Sequence, residues 1–119
     1  MTKQQIEKRI WELQVIMNLT HWRIGIIYDD NKPFDKIKID CPALIIANSE
    51  YLYGELYFNP KKDLKRIDDD VLVHELCHCL TSELKGYASG SKELDSNWIS
   101  YFDERLVSQI ERIIIKGIR

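Results

Sequence analysis

Residues 68–86 read DDDVLVHELCHCLTSELKG, and the fold turns on how this stretch behaves as a helix. Asp68, Asp69 and Asp70 stand where acids satisfy the free N–H groups of a helix start and suit the positive end of its macrodipole. Gly86, after Lys85, is a natural residue just past a helix end. Between those signals Val71, Leu72, Val73, Leu76, Cys77, Cys79, Leu80 and Leu84 are apolar nearly all round, which predicts a helix in the interior of the fold. His74, Glu75 and His78 then need explaining, because three ionisable groups there are costly without a metal or hydrogen-bonding partners.

Upstream, Ile6, Ile10, Leu13 and Met17 recur at helical spacing among Lys, Glu and Gln, predicting an amphipathic helix that ends near Asn18. Residues 22–28 (WRIGIIY) are β-branched and aromatic and predict a first strand, with DDNKP behind it as a turn or loop. Residues 43–47 (ALIIA) and 53–58 (YGELYF) predict two more strands, joined through NSEY and closed by Asn59-Pro60. Beyond the small-residue loop GYASGSK, a last helix is predicted from Asp95 or Ser96 to about Lys116, with Ile99, Phe102, Leu106, Ile110 and Ile113 as its apolar stripe. The expectation is one α+β domain over residues 1–119. It has a small, mostly antiparallel three-stranded sheet and three principal helices, with the 68–85 helix central and packed beneath the sheet.

Whole-chain properties bound the function. At 119 residues, 45% hydrophobic and 30% charged with five Gly and three Pro, the composition is that of an ordinary globular domain. Seventeen Lys and Arg against 19 Asp and Glu give a net charge of −2, so electrostatics supply no reason to expect nucleic acid. No apolar run approaches the roughly 18 residues of a membrane span, and the first residues lack a signal-peptide pattern, so a cytoplasmic location is expected. Cys41, Cys77 and Cys79 are an odd number without framework spacing, which argues for reduced thiols.

The chemistry lies in His74-Glu75-Leu76-Cys77-His78. On a helix, residues i and i+4 lie one above the other, so both imidazoles can reach one metal ion while Glu75 sits beside a bound water. That pattern points to metal-assisted hydrolysis, in which zinc makes water acidic, the glutamate takes the proton and a carbonyl is attacked. With three His and nine Glu in the chain, HEXXH arises by chance at some position in roughly half a percent of shuffled sequences, so the motif is informative. A catalytic zinc commonly takes three protein ligands. His21 is the only other histidine, and the better source is a carboxylate of the last helix: Asp103, Glu104 or Glu111. Glu104 and Glu111 share a face and Asp103 lies nearer the apolar stripe, and periodicity does not choose among them.

The stretch 53–110 resembles the minimal gluzincin-type peptidases, including the minigluzincins and small HEXXH proteins of phage and prokaryotic genomes. The likeness rests on Phe58-Asn59-Pro60 closing an edge strand, the acidic start at 68–70, HELCH at 74–78, and Glu104-Arg105-Leu106-Val107-Ser108-Gln109-Ile110. It implies Glu104 as third ligand, 26 residues after His78, and residues 53–58 as the edge strand along which a peptide substrate lies. HELCH is also similar to SprT-like proteases, which use a further downstream histidine that this chain lacks.

By chemistry alone Tyr87, Tyr101 and His21 could serve an oxyanion. Cys79 points about 140° away from His74 on a helix, so Cys77 and Cys79 read as packing residues. Trp11, Trp22 and Trp98 read as core or interface anchors. The expected function is zinc-dependent hydrolysis of a peptide or protein substrate with Glu75 as general base and acid. The alternative is a zinc-binding regulatory or interaction module without turnover, whose C-terminal tail (IIIKGIR) occludes the cleft or whose apolar face serves self-association.

Overall fold

In a computed structural model, which describes residues 1–37, 40–89 and 96–119 with the side chains of 37, 83–89, 96–100 and 102 excepted, the chain opens with helix α1 (Lys3–Ile16). Thr2 starts it through a capping box: its hydroxyl accepts from Gln5 N–H, and the Gln5 side chain accepts from Thr2 N–H. Ile6, Ile10, Leu13 and Met17 are all buried, as their spacing predicts. Asn18 adopts the left-handed conformation at φ 56° just beyond the helix end. The buried Gln14 amide then donates to the carbonyls of Leu19 and Trp22, which fixes the turn into the sheet.

Three strands follow, β1 (Arg23–Ile27), β2 (Ala43–Asn48) and β3 (Tyr53–Phe58), with a short helix α2 (Lys32–Ile37) between the first two. The DDNKP turn signal therefore leads into a helical turn rather than a plain loop. Asp30 supports it by accepting from Lys32 N–H, and Pro33 falls in the first turn, where its missing N–H costs nothing. The strand order is β1-β3-β2, with β1 parallel and β2 antiparallel to β3, so the sheet is mixed rather than mostly antiparallel. It also makes β3 the central strand, not an edge. The reason is burial: Gly54, Leu56, Tyr57 and Phe58 of β3 are buried, whereas Ile46 and Asn48 of β2 stay exposed. Gly54 permits the close approach, since a Cβ there would stand 3.2 Å from both Ile24 and Ile45 side chains.

After a 3-10 turn (Leu64–Arg66) comes helix α3 (Asp69–Ser89), capped by Asp68, whose carboxylate accepts from Val71 N–H. Asp69 takes a different partner and accepts two hydrogen bonds from Arg9, each 2.8 Å, clamping α1 to the start of α3. Leu72, Val73, Leu76 and Cys77 are wholly buried. Each such leucine contributes about 1.5–3 kcal/mol of hydrophobic stabilisation. The helix runs through Gly86 instead of ending before it. A glycine inside a helix costs only about 1 kcal/mol, which tertiary packing overrides.

Helix α4 (Ser96–Ile118) packs along α3, and α3 in turn packs on β2. Its buried face differs from the predicted stripe: Asp103, Val107 and Ile115 are buried while Ile113 is 72% exposed. The side chains of Ile99 and Phe102, and residues 90–95 of the stretch predicted as a loop, lie outside the described residues. No helix among the described residues is long and apolar enough to cross a membrane.

Candidate metal centre

One helical turn separates His74 from His78, and their rings meet edge to face with centroids 5.3 Å apart. Both Nε2 atoms turn toward Glu104 of α4: His74 Nε2 lies 3.6 Å from Oε2, and His78 Nε2 lies 3.3 Å from Oε1. The ligand atoms of the three residues fall within 4.8 Å of one another. Donors about 2.1 Å from one tetrahedral ion stand roughly 3.4 Å apart, so the observed spacing fits a single first-row cation. Two imidazoles and a carboxylate suit zinc, and also other divalent transition metals.

Behind the rings stand the other two acids of α4. Glu111 lies 2.8 Å from His74 Nδ1 and Asp103 lies 3.1 Å from His78 Nδ1. With each Nδ1–H donating to a carboxylate, each Nε2 keeps its lone pair for a metal, which is the arrangement that orients histidine ligands. Burial works to lower the His74 pKa. The Glu111 hydrogen bond and the charges of Glu75, Glu111 and Glu104 outweigh it and leave the pKa raised. Asp103 is itself buried and accepts a hydrogen bond from the Thr81 hydroxyl. The three acids between which periodicity could not choose thus all come to the site, and only Glu104 stands among the metal-facing atoms. Thr81 and the orienting roles of Asp103 and Glu111 were not foreseen. The signal was faint: Asp103, Val107 and Glu111 recur at four-residue spacing and so share a face.

Glu75 is only 9% exposed, and its Oε2 accepts from the Ile45 N–H of β2 at 2.9 Å. Burial pushes its pKa up to about 7; the charge of His74 and the hydrogen bond from the Ile45 N–H oppose the rise, and the charges of Glu104 and Glu111 add to it. Because Ile45 turns its N–H to Glu75 rather than to β3, the free edge of β2 forms the wall of the site. The edge strand beside the histidines is therefore 43–48, not 53–58; nothing in the local sequence marks which strand lies outermost. An open cleft of about 450 Å³ runs between that edge and the helices, lined by Ala43, Leu44, Ile45 and Ala47 on one side and His74, Glu75, His78 and Glu104 on the other.

No family model, curated protein or solved structure matches the chain. The site must be read from its own geometry. His21 is exposed and stands outside the metal-facing group, and Tyr101 does not line the cleft. The Tyr87 and Trp98 side chains lie outside the described residues. Cys77 and Cys79 are buried thiols whose pKa values burial pushes up to about 12, which agrees with packing and not with thiolate ligation. Of the other tryptophans, Trp22 is buried in the core and Trp11 is exposed. Residues 113–118 form the last turns of α4 and do not line the 450 Å³ cleft beside the histidines.

Proposed function

We propose that the protein is a zinc-dependent peptidase in which His74, His78 and Glu104 hold the ion and Glu75 carries the proton. One observation supports this above all: two Nε2 lone pairs and a carboxylate converge at a cleft beside a buried glutamate whose pKa stands near neutrality. A zinc ion held there supplies Lewis acidity, polarising a carbonyl and bringing the pKa of water down to about 7. Glu75 lines the same cleft as the two histidines and is placed to take the proton of that water. Ile45 N–H fixes one carboxylate oxygen, leaving the other to accept a proton and return it to the leaving amine. Asp103 and Glu111 keep both imidazoles in the tautomer that presents Nε2.

The free edge of β2 supplies the peptide's binding register. Backbone groups alternate along a strand, so Ala43 and Ala47 turn their N–H and C=O the same way as Ile45, away from β3 and toward the cleft. An extended substrate adds to such an edge through main-chain hydrogen bonds. This reading keeps Glu104, the third ligand that the gluzincin resemblance implies, but lays the substrate along 43–48 rather than along the 53–58 strand.

The test is metal analysis with a peptidase assay on an unstructured protein. Chelator-free preparations are expected to hold one zinc per chain. Glu75→Gln should keep the zinc and lose activity by about 10²–10⁴-fold, the usual contribution of a general base. Full activity in that variant, or no stoichiometric metal, refutes the proposal; zinc with no hydrolysis of any substrate assigns the chain to a binding module.

A further inference from the structure

The cleft does not end at Glu75. A second hollow of about 280 Å³ shares Cys41, Ala43, His74 and Glu75 with it and extends past Pro42 to Asp70 and Glu111. A third, of about 700 Å³, shares Asp70 and Glu111 and is walled by Arg112, Ile113, Ile115 and Lys116 of α4 and by Arg119 just beyond it. Shared lining residues set the three hollows side by side, from Ala47, past the histidines, to the last turns of α4.

The far end of that row is basic in a chain whose net charge is −2. Arg119 is paired with Asp70 at 3.2 Å, and Glu111 is engaged by His74 at 2.8 Å. Arg112 and Lys116 have no ion-pair partner among the described residues. Lys116 in the last turn also serves the negative end of the helix dipole, but that effect fades within one turn and does not account for Arg112. Two uncompensated cations therefore flank a row of hollows that begins at a free strand edge.

Direction follows from the strand. Antiparallel pairing is slightly the more stable per residue, so a peptide added to β2 runs from Ala47 toward Ala43. Its C-terminal part then leaves past Pro42, toward Arg112 and Lys116. We propose that this basic end selects the substrate, so that the protein prefers peptides carrying an acidic side chain on the C-terminal side of the scissile bond. This inference rests on the peptidase reading.

Its test uses three fluorogenic peptides that differ at one residue: Glu downstream of the scissile bond, Gln at the same place, or Glu upstream. Downstream Glu should raise kcat/KM about threefold to tenfold over Gln at low salt, the scale of one or two exposed ion pairs, and the gain should shrink at about 0.5 M salt. The double variant Arg112→Glu/Lys116→Glu should reverse the preference. Equal rates for Glu and Gln, or a gain from upstream Glu alone, overturn the proposal. If the wild type cuts no peptide, the peptidase reading has failed separately, and the same peptides are titrated by fluorescence anisotropy against the Glu75→Gln protein. Tighter binding of the downstream-Glu peptide by a similar factor supports selection by the basic end; equal binding refutes it.

Discussion

Replacing Glu75 with Gln should stabilise the metal-free protein, and only above mildly acidic pH. The carboxyl is 9% exposed, and burial raises its pKa from the ordinary 4.5 to about 7. Below pH 4.5 it is neutral in both folded and unfolded chains, so it costs the fold nothing. Between 4.5 and 7 the unfolded chain sheds a proton that the folded one retains, and stability falls as pH rises. Above 7 both forms are ionised and the penalty is complete. From 4.5 to about 7, at about 1.4 kcal/mol per pH unit, the penalty comes to about 3 kcal/mol. Gln keeps an acceptor for the Ile45 N–H and nearly the same volume, but carries no charge. Urea denaturation of chelator-treated wild type and variant, from pH 4.5 to pH 9, measures the difference. It should be near zero at the acid end, grow to about 3 kcal/mol by pH 8 and stay flat beyond. His74 titrates in both proteins, so its own contribution cancels from the comparison apart from its attraction to Glu75. A stability difference equal at pH 5 and pH 8 would refute the reasoning.

Two further outcomes are expected. Asp103→Ala and Glu111→Ala should each weaken zinc binding about 10–100-fold by freeing an imidazole, and His74→Ala, His78→Ala or Glu104→Ala should cost more by removing a ligand. Competition with a chromophoric chelator reads both, and equal losses across all five would contradict the inner and outer roles. Arg9→Ala should cost about 1 kcal/mol at pH 7, because both partners are only partly buried. The Asp69 carboxyl is held below its usual 3.8 chiefly by the Arg9 hydrogen bond, so the wild-type advantage is present above that pH and shrinks as pH falls through the lowered value. Denaturation midpoints at pH 7 and pH 3 check this, and an advantage that grows toward acid would count against it.

Several of the disagreements between sequence and structure fall in α4, beside the site. Apolar periodicity put Ile113 of α4 inside the buried stripe and Asp103 only beside it. The structure does the reverse, because Asp103 finds compensation from His78 and Thr81 that no local pattern records. Functional sites are where local pattern and global fold part company. Glu104 shows the same limit, since resemblance singled it out and geometry then separated its position from those of Asp103 and Glu111.

The sequence alone determined what depends on local geometry. Ile6, Ile10, Leu13 and Met17 share a face because a helix repeats every 3.6 residues, and the His74 and His78 rings meet edge to face for the same reason. The 53–58 strand is likewise legible from composition and its Asn-Pro stop. Only the tertiary structure decided that β3 is central and β2 the free edge, that α3 runs through Gly86, and that three acids of α4 meet two histidines of α3. The meeting of acids and histidines rests on pairs 25 to 37 residues apart, and all of these outcomes depend on burial and partners that no local window of sequence contains.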